Sequence, residues 1–415
     1  MTMSLFPSFI LYLCVFLMFC HLIYTKISSN RIIIDHITCI YFGFMYYMFL
    51  PIILMVTENY HLFQNLTPIN QFNSLSLQQI ESTLLVFLAF ILAIIVADLN
   101  SKNTTKQKSH HQESRNFGAE VILIATTILI IPSLLDMIPL IFSGYDTSLW
   151  VRGSRGPFLS YIVILITLSS LYLSAKRRIN LLNLLNIFTV FAFIFSLLNL
   201  FTGNRGFLIT FLISIVVIFS EFNKGVRFKN LLILVSIGII ISALVATFRS
   251  TGISAEQFVN IRVIIIAQFL AEGMNVANSL FIYIGQYSPN LIEFPSSFLS
   301  QFINLIPSFL LPSKFEYISL DPRVTYYLSS SNFYVILVTN FGVIGSILFM
   351  YFFTKFLGFV KNSTKINGIY PALCAHIPFM FFRDFDLTIV KYMFEFTILV
   401  GLGAMLFNYI IKKIA

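Results

Sequence analysis

The sequence predicts an all-α polytopic membrane protein of about eleven transmembrane helices, with a large external loop at about 248–332 containing short interfacial helices. Three observations carry this reading. Hydrophobic residues make up 58% of the 415 positions and charged residues only 10%, with a mean hydropathy of +0.88. A soluble domain carries about 25% charged residues and keeps a wet surface whatever its size. The apolar residues also lie in continuous runs long enough to cross about 30 Å of hydrocarbon. Those runs lack a period-two alternation, so helices rather than barrel strands must satisfy the backbone inside lipid.

Taken in order, the runs are 4–24, 32–56, 82–98, 119–143, 158–174, 181–201, 207–222, 230–247, 333–354, 366–382 and 388–411. They form a single transmembrane domain over 1–415. The first begins at Ser4 with no basic segment before it, so it is expected to remain as a span rather than be cleaved as a signal peptide. The loop 57–80 has no Lys or Arg. Basic residues fill every second connection instead: Lys26 and Arg31; Lys102, Lys106, Lys108 and Arg115; Lys176, Arg177 and Arg178; Lys224, Arg227 and Lys229; Lys355, Lys361 and Lys365; Lys412 and Lys413. These are 17 of the 26 basic residues. The positive-inside rule assigns those connections to the cytoplasm, the N-terminus to the periplasm and the C-terminus to the cytoplasm. The net charge of +9 is then a topology signal and calls for no nucleic-acid partner.

The stretch 248–332 is apolar at 257–271 and 277–285, then interrupted by Pro295, Pro307, Pro312 and Pro322. One extra span here would invert the downstream charge pattern. The stretch is therefore wholly external or re-enters as a hairpin. A structureless loop of this length is uncommon, so short helices on the outer membrane boundary are expected. Phe281, Tyr283, Tyr287, Phe294 and Phe298 would anchor them. No internal repeat and no pair of Gly- or Pro-broken spans at matching positions is visible, which argues against a transporter.

The outward-facing charges are of a different kind from the inner ones. Arg152, Arg155, Arg205, Arg249, Arg262, Lys314, Arg323 and Arg383 lie in outer loops or at outer helix ends, and Lys391 lies within the last run. Seven of the outer eight are arginine, whereas 12 of the 17 inner cations are lysine. Lysine satisfies the topology rule, but the planar guanidinium fork suits phosphate or carboxylate. Pairing with acids such as Asp146, Glu256 and Asp384 explains the arginines equally well.

Five constellations stand out. Gly203-Asn204-Arg205-Gly206 joins two runs in a few residues, and its glycines let backbone amides approach an anion. Arg152 and Arg155, three apart and preceded by Trp150, could clamp a diphosphate. Arg249 opens the large loop, with Arg262, Glu256 and Glu272 beyond it. Asn332-Phe333 begins the next run, followed by Asn340, Gly342 and Gly345, whose glycines suit close helix packing. Arg383-Asp384-Phe385-Asp386 forms a short outer turn whose carboxylates are general-base candidates. Lys391 and Glu395, spaced i,i+4, should pair. Cys14, Cys20, Cys39 and Cys374 sit in apolar runs without ligand spacing, and His110 and His111 lie in a polar loop, so no metal is indicated.

The layout and these motifs resemble the Wzy-type O-antigen polymerases, the oligosaccharide repeat-unit polymerases of bacterial inner membranes. The resemblance spans the chain: the number of spans, the large external loop, the Gly203–Gly206 turn, the Asn332–Gly345 start and the Arg383–Phe385 turn. Many members have a histidine where this chain has Ser331. The resemblance implies a glycosyltransferase without cofactor that takes an undecaprenyl-diphosphate-linked oligosaccharide as donor. Arg205, Arg249, Arg383 and Asp384 would be catalytic. Arg152, Arg155, Asn204, Arg262, Arg323 and Asn332 would bind substrate. Membrane lipid and a chain-length regulator protein are the implied partners. An O-antigen ligase, or a lipid-linked oligosaccharide flippase or transporter, is the alternative.

Overall fold

In the computed structural model the described residues are 5–28, 30–57, 72–101, 117–140, 152–176, 179, 181–201, 206–233, 235–236, 238, 240, 273–306, 310–317, 332–363, 366–378, 382–383 and 391–414. Among them, six helices are long and apolar enough to cross a membrane, and three shorter apolar helices, Phe158–Ser174, Ile187–Leu200 and Gly206–Phe222, accompany them. The chain is a multi-pass membrane protein, and its described residues are helical apart from connections and three two-residue strands. Its lipid-facing surface reads directly from exposure. On the Leu5–Lys26 helix, Phe6, Phe9, Phe16, Phe19 and Ile23 are exposed, while Ile10, Leu11, Cys14 and Met18 on the other side are buried. An exposed apolar stripe of this kind is stable only against lipid or another apolar partner.

One end of the bundle brings together Lys26, Arg31, Arg227 and Lys361. Strands Ile27–Ser28, Arg31–Ile32 and Val226–Arg227 form an antiparallel ribbon that ties the connections holding Arg31 and Arg227 together. Beneath the ribbon lies a buried ionic network. Lys26 Nζ donates to Asp35 Oδ2 at 2.9 Å and to Asp98 Oδ1 at 3.2 Å, and Lys361 Nζ donates to Asp35 Oδ2 at 2.9 Å. His21 Nε2 lies 3.2 Å from Asp98 Oδ2 and His21 Nδ1 2.8 Å from the Tyr41 hydroxyl. His36 Nδ1 and the Tyr370 hydroxyl are 2.8 Å apart. Asp35 also caps its helix, accepting from the amides of Ile37 and Thr38. Burial alone would raise the Asp35 carboxyl, but Lys361, Lys26 and His36 overcome it and hold it well below the usual carboxylate range. Lys26 and Lys361 are therefore structural cations, whatever side of the membrane they face.

One described part of the large loop lies inside the bundle rather than on the membrane boundary. Its helix Met274–Tyr287 is packed inside the bundle, and Phe281 and Tyr283, expected as interfacial anchors, are fully buried. Phe298 is buried too, whereas Tyr287 and Phe294 are exposed. Phe281 meets Phe72 and Phe87 edge-on, at 5.5 and 6.4 Å between centroids. The start of this helix fits against a break in the 36–57 helix. Pro51 cannot donate to a carbonyl one turn back, and the preceding residues Met45–Phe49 open into a π turn. A Cβ on Gly273 would come within 2.5 Å of Pro51 Cγ and 3.0 Å of the Tyr46 carbonyl, so only glycine fits there.

The run expected as one span from 333 is two helices. Gly342 has φ +70°, and the chain turns back on itself there. Phe333 and Phe341 both lie against Phe349, with centroids 6.0 and 6.1 Å away. In a straight helix Phe333 and Phe349 would stand about 24 Å apart. The limb 333–341 therefore climbs through the bundle and 343–362 descends to the lysine-rich end. Segment 290–298 straps the bend: the amides of Val343 and Ile344 donate to the carbonyls of Asn290 and Leu291 at 3.1 and 2.9 Å. Asn340 Oδ1 accepts from Ser297 Oγ at 2.6 Å and the Phe298 amide at 2.7 Å.

Candidate functional site

The re-entrant limbs place two of the sequence motifs together. Asn332 begins the 333–341 limb. Its Oδ1 accepts from the Tyr334 amide at 2.9 Å, its Nδ2 donates to Met48 Sδ at 3.2 Å, and its own amide donates to Ser279 Oγ at 2.9 Å. Met48 lies about 18 Å along its helix from His36, so Asn332 sits near mid-depth rather than at the outer boundary. The Phe333 amide donates to the Phe382 carbonyl at 3.3 Å. The Asn332-Phe333 start and the Phe382-Arg383 turn are thus joined inside the bundle. Non-helical backbone at that depth persists only where protein or a water-filled cavity surrounds it.

The surroundings of this junction are aromatic. Tyr334 stacks on Phe44 and Phe90, at 5.3 and 4.8 Å, and meets Phe382 edge-on at 5.5 Å. Its hydroxyl is buried with no hydrogen-bond partner among the described residues, as are Asn275 Oδ1 and Glu395 Oε1. Buried polar atoms without partners are few in native structures and mark places where water or a ligand group belongs. Asn332 is fully buried and its side chain serves the helix cap and Met48. Arg383 is half-buried beside this junction.

A second cluster lies at the end away from the lysine-rich connections. Lys314 is fully buried, and its Nζ donates to the Ile306 carbonyl at 2.7 Å. Lys391 stands beside it, and Lys391 Nζ is 3.9 Å from Glu395 Oε1, the i,i+4 pairing the sequence predicts. Burial, then the neighbouring Lys391 ammonium, lowers Lys314 to about 8, with Glu395 opposing. Tyr392 lies 6.5 Å from Phe207. This brings the helix that follows Gly203–Arg205 alongside the lysine pair. Glu395 belongs to a π-helical stretch, Tyr392–Leu399, a distortion frequent at functional sites.

Of the other residues expected at the site, Arg152 and Arg155 open the Arg152–Ser174 helix, in its first turn. Asn204, Arg205, Arg249, Arg262, Arg323 and Asp384 lie outside the described residues, as do Trp150, Glu256, Glu272, Ser331 and Asp386. Among the described residues no three His, Cys, Asp or Glu side chains gather as a metal site requires. Sequence reasoning passed over Ser279, Met48 and the partnership of Lys314 with Lys391. Its one pointer to the last was that Lys314 is the lone lysine among the outer arginines.

The fold and these clusters define a multi-pass membrane protein whose large loop re-enters the bundle and places polar groups near mid-depth. Comparison with protein-family models, curated proteins and solved structures finds no match to this chain.

Proposed function

We propose that this chain is a membrane glycosyltransferase of the O-antigen polymerase kind, acting on the periplasmic side of a bacterial inner membrane. It would transfer a glycan from undecaprenyl diphosphate onto a lipid-linked repeat unit. The observation that carries the reading is the buried Phe333–Phe382 contact, which joins the Asn332 start and the Arg383 turn through the re-entrant loop. In this reading an acceptor hydroxyl oxygen attacks the anomeric carbon of the donor sugar. A new glycosidic C–O bond forms and the C–O bond to the diphosphate breaks. The hydroxyl proton passes to a carboxylate, with Asp384 the candidate, or to a diphosphate oxygen. Cations that already face the leaving diphosphate stabilise the charge developing on it. Arg383, Arg205 and Arg249 are assigned that role, with Arg152, Arg155, Arg262 and Arg323 supporting.

A flippase or transporter is the second reading, favoured by one feature. A helix broken at Gly342, with one limb starting near mid-depth, is an arrangement that transporters also use. Deleting the gene in its host and running surface lipopolysaccharide on a silver-stained gel separates the readings. Polymerisation predicts core plus one repeat unit, restored to a full ladder by wild type but not by Arg383→Ala. Bare core would favour the ligase or flippase, and an unchanged ladder would rule out both the polymerase and its rivals.

A further inference from the structure

We propose that Glu395 is the base that takes the proton from the acceptor hydroxyl, a role that rests on the glycosyltransferase reading. Glu395 is buried at 7% exposure, and its Oε1 accepts no hydrogen bond. Lys391 Nζ stands 3.9 Å from that oxygen, near enough to balance charge but beyond hydrogen-bond distance. A carboxylate hidden from water is costly unless cations accompany it, and Lys391 and Lys314 both act on this one. The charge is thus balanced while a lone pair on Oε1 stays open to a hydroxyl. By contrast, Asp35, which braces the opposite end of the bundle, closes on Lys26 and Lys361 at 2.9 Å. The backbone is distorted at the same place. Glu395 belongs to the π-helical stretch Tyr392–Leu399, and such turns are rare and concentrate at functional sites.

The position suits a proton acceptor reached from the outer side. The last helix runs antiparallel to the Tyr370–His376 helix: Gly401 packs on Ile369, and Thr397 Oγ1 is 3.4 Å from His376 Nε2. Tyr370 belongs to the end that holds Lys26 and Lys361, where its hydroxyl accepts from the His36 amide at 2.9 Å. Glu395, two residues before Thr397, is therefore further from that end than Thr397. Side chains lean toward the start of their helix, which carries its carboxyl on toward Lys391. Tyr392, in the preceding turn, meets Phe207 at 6.5 Å, beside the Gly206 end of the glycine-flanked turn. The charged groups facing Glu395 are Lys391 from its own helix and Lys314 from the 310–317 segment. On the neighbouring helices, His376 faces Thr397 and Tyr161 faces Thr127. In the transfer, the acceptor oxygen bonds to the anomeric carbon as the bond to the diphosphate breaks, and that electron pair leaves with the diphosphate. The hydroxyl proton moves to Glu395, in place of Asp384, and returns to solvent when the product leaves.

The test follows glycan polymerisation by the full-length protein in liposomes supplied with a synthetic undecaprenyl-diphosphate-linked repeat unit. Glu395→Gln keeps the shape and removes the base. It should lower kcat about a hundredfold or more and leave KM unchanged. In the wild type kcat should fall as pH drops and the base is protonated, and in Glu395→Gln that fall should vanish. Formate should restore part of the rate to Glu395→Ala, where it has room for a carboxylate, but not to Glu395→Gln. A carboxylate that only braced a lysine predicts neither the flattened profile nor the rescue. Wild-type kcat in Glu395→Gln would overturn the proposal. So would a lowered kcat that still falls with pH and is not rescued, or a fall with pH that disappears in Asp384→Asn instead. If the variants fail to fold, the wild-type protein is treated with dicyclohexylcarbodiimide, which modifies buried carboxyls. Inactivation with label on Glu395, slowed by the lipid-linked repeat unit, is expected. Activity that survives the reagent, or loss of activity without label on Glu395, would overturn the proposal. The two readings fail separately. Absence of any longer glycan from the wild type would defeat the polymerase reading, whereas a wild-type rate from Glu395→Gln would defeat the base alone.

Discussion

Asp35 carries more of the architecture than any other single carboxylate described. It caps one helix and accepts from lysines on two others, Lys26 and Lys361. Removing one member of a buried ion group strands the others, at a cost of about 3 kcal/mol or more. Asp35→Ala should therefore lower the detergent melting temperature clearly, and more than Lys361→Met, because Lys361 is partly exposed at 26% while Asp35 is at 1%. Equal melting of wild type and Asp35→Ala would show that the network does not hold the helices together. The pH dependence follows from the sign of the shift. The folded carboxyl is depressed, so its stabilisation is fully present above the unfolded value of about 3.9 and lost as pH falls through the lower folded value. Asp35 should contribute no slope between pH 5 and 8, and a loss of stability confined to strong acid.

The bend at Gly342 is the element on which the inner architecture turns. An alanine there would need a positive φ and would press its Cβ to 2.7 Å from the Leu291 carbonyl. Gly342→Ala should cost well over 1 kcal/mol, read as a lower melting temperature, and wild-type melting would argue against the fold-back. Geometry offers a more direct check. Cysteines at 333 and 349, in a background with the native cysteines replaced, should crosslink under membrane-permeable oxidation. A straight helix would hold them about 24 Å apart and give no crosslink. Little of this was legible beforehand. The spans were readable because lipid imposes a minimum length on an apolar run. The bend was not, because the residues on either side of Gly342 are mostly apolar, and a fold-back and a straight span bury them equally well. The resemblance implies a substrate-binding role for Asn332; that its side-chain oxygen also caps a buried limb is a contact the sequence does not reveal. Phe281 and Tyr283 read as interfacial anchors, since aromatic rings serve both a boundary and a core. Lys26 and Lys361 looked like loop charges because their partners, Asp35 and Asp98, are distant along the chain or sit at a helix end.

At the scale of the whole molecule Lys26, Arg31, Arg227 and Lys361 converge on one end among the described residues. The Arg383 turn and the Lys314–Lys391 pair lie away from that end, toward the middle and far side of the bundle. This polarity is what a protein needs if charge fixes its orientation on one side and a charged lipid is handled from the other. A reporter fusion series should find the Lys224–Lys229 connection cytoplasmic; placement of that connection outside would invert the assignment of every loop. The most direct test of the central claim is reconstitution. Purified protein in liposomes is given a synthetic undecaprenyl-diphosphate-linked repeat unit, and glycan length and released undecaprenyl diphosphate are measured. The account predicts lipid-linked glycans of two or more repeat units, one released carrier for each linkage formed, and loss of both products in Arg383→Ala. Redistribution of the substrate across the bilayer without any longer glycan would contradict it and establish a flippase instead.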